Sequence, residues 1–145
     1  MTDVSFYVLD TNQPRDRYTI ACKITEKAYK LGQQVFILTE SAEQTRTVDT
    51  LLWSFRQGSF VPHVVVDSSA EPAAGQLPNT VLIGTGTQAC EATVLINLTD
   101  HIPDNPDMFE RIVEIIDQDK QVKQAGRQRY KTYQSRQFEL KTHHL

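Results

Sequence analysis

Cysteine is scarce in this chain, with two in 145 residues, Cys22 and Cys90. They have neither the paired spacing of a zinc site nor the density of a small secreted scaffold, so a disulfide-stapled fold is excluded and a reducing compartment is expected. Also missing are any charged-then-apolar leader and any apolar run near the roughly 18 residues that a membrane helix needs, so a soluble, cytoplasmic protein with no membrane partner is expected. No Walker A loop, Gly-x-Ser-x-Gly elbow or His-Glu-x-x-His pair occurs. Histidines 63, 101, 143 and 144 fall in no nucleophile motif and none pairs with a second ligand at helical spacing. His63, just after Pro62 at a strand entrance, reads as structural, while His143 and His144 are expected at a frayed terminus. No catalytic residue, metal or cofactor is expected.

One stretch resembles an exception. In "VLIGTGTQAC", residues 81–90, Gly84-x-Gly86-x-x-Ala89 has the spacing of a dinucleotide fingerprint. The next apolar run, "TVLIN" from Thr93, starts too soon for a helical crossover, which takes roughly ten to twelve residues. The two runs are therefore expected to pair as an antiparallel hairpin around a Gly/Thr connection.

What is present suits one globular domain, 39% hydrophobic and 23% charged, spanning residues 1–145. "DVSFYVLD" reads as a strand. A helix over 15–31 follows, with Gly32 placed to end it, then a strand in "QVFILT". Ser41 and Gln44 form a capping box that opens a helix through Phe55. A third strand lies in "GSFVPHVVVD", a loop in "SSAEPAAGQLPN", and further strands at 81–84 and 93–98. Asn105-Pro106-Asp107 has the form of a helix start, and Met108, Phe109, Ile112, Val113, Ile115 and Ile116 supply an apolar face to a core helix. A second, polar and basic helix runs from about Asp119 to Gln134, at a cost of roughly 1 kcal/mol if Gly126 lies in its interior. Alternating strands and helices indicate an α/β fold, its sheet mixed but mostly parallel.

Charge is unevenly distributed. From residue 120 onward there are seven basic residues against one acidic, an excess of +6, on a body carrying −9. Within "KQAGRQRYKTY", Lys123, Arg127 and Lys131 are four residues apart and so align on one helix face beside Tyr130. Such a stripe opposes its own helix by a few tenths of a kcal/mol per pair unless an anion compensates it. A solvated face, nucleic acid and an acidic peptide all remain open, though the acidic body disfavours a long polyanion. The second cluster, "LLWSFRQGSFVPH" at 51–63, has more apolar bulk than one helix face hides. Trp53 and Phe60 in it are either core residues or anchors for a protein partner.

"FYVLD" near the start, "LLW" and "SFVPH" within 51–63, and "KQAGRQRYKTY" followed by "FEL" together resemble, in order and spacing, the chi-subunit family of bacterial DNA polymerase III. The resemblance implies a single Rossmann-like domain without nucleotide catalysis, and a noncatalytic adaptor role in the clamp-loader complex. It implies that Lys123, Arg127, Tyr130 and Lys131 hold the acidic C-terminal tail of single-stranded-DNA-binding protein, so that DNA is contacted only indirectly. Trp53 and Phe60 would face the psi subunit, on a surface also implicated in binding an alternative helicase partner. The connection from Asp117 to Lys123 is shorter than is usual in that family, which leaves Val122 as the expected apolar wall for the tail's terminal side chain. Gln137 stands where a glycine is common. The competing readings are a small nucleotide-binding protein using the Gly84 loop, and direct binding of single-stranded nucleic acid.

Overall fold

The computed structural model of the chain describes residues 2–55, 58, 60–66, 80–86 and 92–145. Five apolar runs become strands as expected: β1 (Asp3–Val8), β2 (Val35–Leu38), β3 (His63–Val65), β4 (Val81–Gly84) and β5 (Val94–Asn97). Two more come from the C-terminal part, β6 (Arg111–Ile116) and β7 (Glu139–His144). They form one sheet in the order β3-β4-β2-β5-β6-β1-β7, and every neighbouring pair is parallel. A parallel sheet is covered on both faces, which is why β2, β4 and β5 are buried at every position and read as near-continuous Val, Ile and Leu.

Three helices supply the cover. α1 (Pro14–Lys30) starts on a proline and stops at Gly32, whose φ of 79° lets Gly32 N and Gln33 N donate back to Tyr29 O and Ala28 O. α2 (Ala42–Ser54) starts on the expected cap, where Gln44 N donates to Ser41 Oγ at 3.1 Å, but the return bond reaches one residue further out, Gln44 Oε1 accepting from Glu40 N at 2.7 Å. Ala21 and Cys22 of α1 and Val48 and Leu52 of α2 pack on Ile37, Ile83, Ile96 and Val113 on one face of the sheet. α3 (Lys120–Ser135) covers the other face, where Tyr133 lies among Phe6, Leu95, Phe109 and Ile112. The faces differ because α1 carries the chain from β1 towards β2 while α3 carries it from β6 the opposite way to β7, and right-handed crossovers in opposite directions fall on opposite faces.

Four expectations are corrected. The sheet is wholly parallel rather than mixed. β4 and β5 form no hairpin, since β2 lies between them. The short spacing does not forbid a parallel connection. Residues 85–93 need only step about 10 Å sideways and return about 13 Å along a strand, within the roughly 30 Å that so many extended residues span. The core helix expected over 108–116 is instead a single 3-10 turn, Pro106–Met108, followed by β6. Asn105 sits at φ 50° with no side-chain cap. Ile112, Val113, Ile115 and Ile116 fit a helical period, but their β-branched side chains are buried on both sides of a central strand. Lastly, His143 and His144 are not frayed: both lie in β7, paired with Tyr7 and Val8, and the His143 ring stacks on Tyr7 at 4.7 Å.

Among the described residues, no helix is long and apolar enough to cross a membrane. The 68–79 loop, Ala89 and Cys90 lie outside the described residues.

Candidate functional site

The basic helix starts where Asp119 Oδ2 accepts from the Gln121 and Val122 amides, at 3.1 and 3.2 Å. Helical periodicity then puts Val122, Gly126, Arg129, Tyr130 and Tyr133 on the side facing the sheet, with Lys123, Arg127 and Lys131 along the adjoining flank. Gly126 is in the helix interior, and a Cβ there would stand 2.5 Å from Ile116 Cδ1, so the missing side chain is what lets α3 lie this close to β6. Tyr130 meets Phe6 edge-on, with ring centroids 5.2 Å apart.

Beside that contact opens a recess of about 250 Å³. Phe6 and Val8 of β1 and Ile116 of β6 form its apolar floor, Gly126 and Tyr130 its helix wall, and Lys123, Arg127 and Gln118 its polar rim. Thr142 of β7 closes the remaining side. Lys123 is oriented by Gln118, whose Oε1 accepts from its Nζ at 3.1 Å, and Gln118 is itself held by Leu9 O at 2.7 Å. Arg127 is exposed and has no ion-pair partner among the described residues. The structure therefore brings Lys123, Arg127 and Tyr130 to one recess, with Lys131 exposed one turn further along the same flank. Such a site presents cations around an apolar hole, and suits a ligand with a carboxylate next to an apolar group.

Val122 is not among the residues lining this recess. It lines a second one, of about 640 Å³, together with Arg17, Glu40, Thr99, Asp100 and Arg129 at the carboxyl ends of β2 and β5. In that second recess, burial holds the Arg17 guanidinium below its usual value, and Arg17 Nε donates to Ile115 O at 2.8 Å. Glu40, Asp100 and His101 offer potential metal-ligand atoms within 4.8 Å of one another, all from exposed residues. Partial desolvation and the hydrogen bond to Asp100 raise the Glu40 carboxyl, while that same bond lowers Asp100, as when two carboxyls share one proton.

Sequence reasoning missed the network that fixes α3. Glu114, buried in the middle of β6, accepts from Arg129 Nε at 3.0 Å, from Tyr133 Oη at 2.8 Å and from Asn97 Nδ2 at 2.9 Å, and Arg129 Nη2 completes the ion pair at 3.0 Å. The signal was a carboxylate inside the apolar run "RIVEII", which only an opposite charge from another element can satisfy. At its end α3 turns through Gln137, at φ 67°. There Phe138 N donates to Tyr133 O and Gln137 N to Gln134 O, both at 3.1 Å, and the Phe138 ring meets Tyr133 at 5.5 Å.

The aromatic cluster lies across the molecule, on the opposite face and at the opposite edge of the sheet. Trp53 and Phe60 are 57% and 65% exposed, with ring centroids 5.7 Å apart, which leaves them outside the core. His63 backs them: its ring is 4.6 Å from that of Trp53, its Nδ1 is 2.6 Å from Val61 O, and its Nε2 lies 3.0 Å from Asp49 Oδ1 on α2. At the Gly84 loop, a Cβ on Gly84 would stand 2.8 Å from Val66 O and from Val66 Cγ2, so this glycine accommodates the chain leaving β3.

The model of the family described as DNA polymerase III chi subunit, HolC, matches residues 1–141. The chain is 32% identical over 146 aligned residues to the DNA polymerase III subunit chi of Pseudomonas aeruginosa, covering 100% of this chain and 98% of that protein. The subunit of the same name from Escherichia coli is 27% identical, with 98% and 97% covered, and that from Haemophilus influenzae 31% identical, with 97% and 95% covered. The crystal structure of T4 UvsW superposes with a TM-score of 0.67 at 8% identity, over 99% of this chain and 41% of that one, a likeness of fold alone.

Proposed function

Since this chain belongs to the DNA polymerase III chi-subunit family, an accessory and noncatalytic part of that replication enzyme, we propose that it works in the cytoplasm as an adaptor with two protein-binding surfaces. The recess under α3 takes the acidic C-terminal tail of single-stranded-DNA-binding protein. Lys123 and Arg127 hold its carboxylates, Lys131 adds charge along the approach, and the terminal apolar side chain enters between Tyr130 and the floor of Phe6, Val8 and Ile116. Trp53 and Phe60 take the psi subunit, which joins the chain to the clamp loader, and the same pair suits an alternative helicase partner. The observation that carries this reading is the meeting of Lys123, Arg127 and Tyr130 at one apolar recess.

An acidic peptide ending in a hydrophobic residue with a free carboxylate should bind, more weakly as salt rises, and binding should be lost in Arg127→Ala. Tight binding unaffected by that substitution would exclude the recess. Trp53→Ala or Phe60→Ala should impair association with psi and leave peptide binding intact. A single-stranded oligonucleotide is the control, and strong binding to it without any partner would replace the adaptor by direct nucleic-acid recognition.

A further inference from the structure

The two edges of the sheet are treated differently. β3 is short, His63–Val65, and its entrance is limited by Pro62, both common ways of blunting an edge. β7 runs for six residues with no proline, and all of them but Leu140 are exposed. Leu145 N donates to Val8 O, so the backbone groups of Lys141 and His143 also turn towards β1, while those of Leu140, Thr142 and His144 face outward, with no strand partner among the described residues. An open edge of this length is a template for another strand.

Thr142 connects that edge to the recess. Its side chain lines the recess, and its outward amide lies at the edge. The β7 side chains on the opposite face of the sheet include Lys141, 4.0 Å from Asp3, and His143 on Tyr7. An added strand would thus run between Arg127 on one face and Lys141 and His143 on the other, with Glu139 the only acid on β7. A second copy of the chain pairing antiparallel there would bring its own Lys141 to the same edge, like charge beside like charge. An acidic peptide would meet no such repulsion.

We infer that the peptide held by the recess continues upstream as an eighth strand on β7, hydrogen-bonded to Leu140, Thr142 and His144. This rests on the peptide-binding reading above and assigns it a second contact surface. Main-chain bonds to an edge are independent of side chains, so this surface supplies affinity while the recess supplies selectivity for the peptide's end.

The test uses the full chain and synthetic aspartate-rich peptides ending in phenylalanine. Two versions carry N-methyl groups on alternate backbone amides, one on each parity, which removes donors on one side of the strand without altering charge. One version should bind about tenfold more weakly or worse, and the other like the unmodified peptide. In amide exchange followed by NMR, Leu140, Thr142 and His144 should slow when the peptide binds, with Lys141 and His143 unchanged. Peptide binding that perturbs Lys123 and Arg127 but leaves all five amides as they were, with both methylated versions at full affinity, overturns the eighth strand and keeps the recess. No peptide binding at all removes both. Protection of these amides by concentration-dependent dimerisation without peptide overturns the inference in favour of a second copy.

Discussion

Arg129 Nε donates to Glu114 Oε1 at 3.0 Å, and Nη2 lies 3.0 Å from the same oxygen, in an ion pair that is 3% and 0% exposed. Breaking such a pair from one side leaves a charge in the interior. Arg129→Met and Glu114→Gln should each lower unfolding free energy by about 3–5 kcal/mol in chemical denaturation. The double variant should lose clearly less than the two single losses combined. Additive losses would mean that the two groups do not act as a unit.

Tyr133 offers a readout against pH. Burial, and then the facing Glu114 carboxylate, push its phenol far above the ordinary 10.0. The native state keeps this proton where the unfolded chain releases it, so the stability tied to it is fully present below pH 10.0 and falls by roughly 1.4 kcal/mol per unit above that value. Tyr133→Phe should be less stable at neutral pH by about 1–3 kcal/mol and should show a shallower alkaline decline than the parent. Equal alkaline slopes would remove the phenol from the account.

Gly126→Ala separates helix propensity from packing. An exposed helix would gain about 1 kcal/mol from this change. Here the new methyl meets Ile116 Cδ1, so melting temperature should fall instead, and acidic-peptide affinity should fall with it because both residues line the recess. Adding Ile116→Val, which removes that methyl, should restore much of the stability.

Gln137 holds a left-handed turn that a side chain resists. Gln137→Gly should stabilise the protein by about 0.5–1 kcal/mol without changing peptide affinity, measured by thermal unfolding and titration. A loss of stability would show that the glutamine side chain contributes more than its backbone costs.

Neighbours on α2 should respond oppositely. Leu52 is 1% exposed and Trp53 57%. Leu52→Ala should cost about 2–5 kcal/mol, whereas Trp53→Ala should stay within about 1 kcal/mol while weakening psi association. A Trp53→Ala protein that fails to fold would return that ring to the core.

The helices were legible in the sequence where local chemistry decides them. Gly32, the Ser41/Gln44 pair and Asp119 are self-contained signals: α1 stops at the first, and α2 and α3 begin at the other two. β6 was not legible because burial on both sides removes the alternation that marks a strand, and Ile112, Val113, Ile115 and Ile116 then satisfy a helical period equally well. The path from β4 to β5 was hidden for another reason: strand order depends on which distant segments pair, and nothing in residues 85–93 encodes that β2 lies between them. For the site, the spacing of Lys123, Arg127 and Lys131 gave the flank of the helix. The floor comes from Phe6, Val8 and Ile116, brought from two other strands, while Val122 lines the neighbouring recess.

β1 lies between β6 and β7, the two strands that are made last. The first strand to leave the ribosome therefore has no partner until synthesis is almost complete, while β2, β3 and β4 can already pair among themselves. Such long-range closure is slow and leaves an apolar segment, "VSFYV", exposed to aggregation in the interval. α3 joins the two late strands, so docking β1 also creates the floor of the recess. A chain cut before β7 would keep the apolar floor of Phe6, Val8 and Ile116 and the helix wall of Gly126 and Tyr130, but would lose Thr142 and expose β1 as the edge of the sheet.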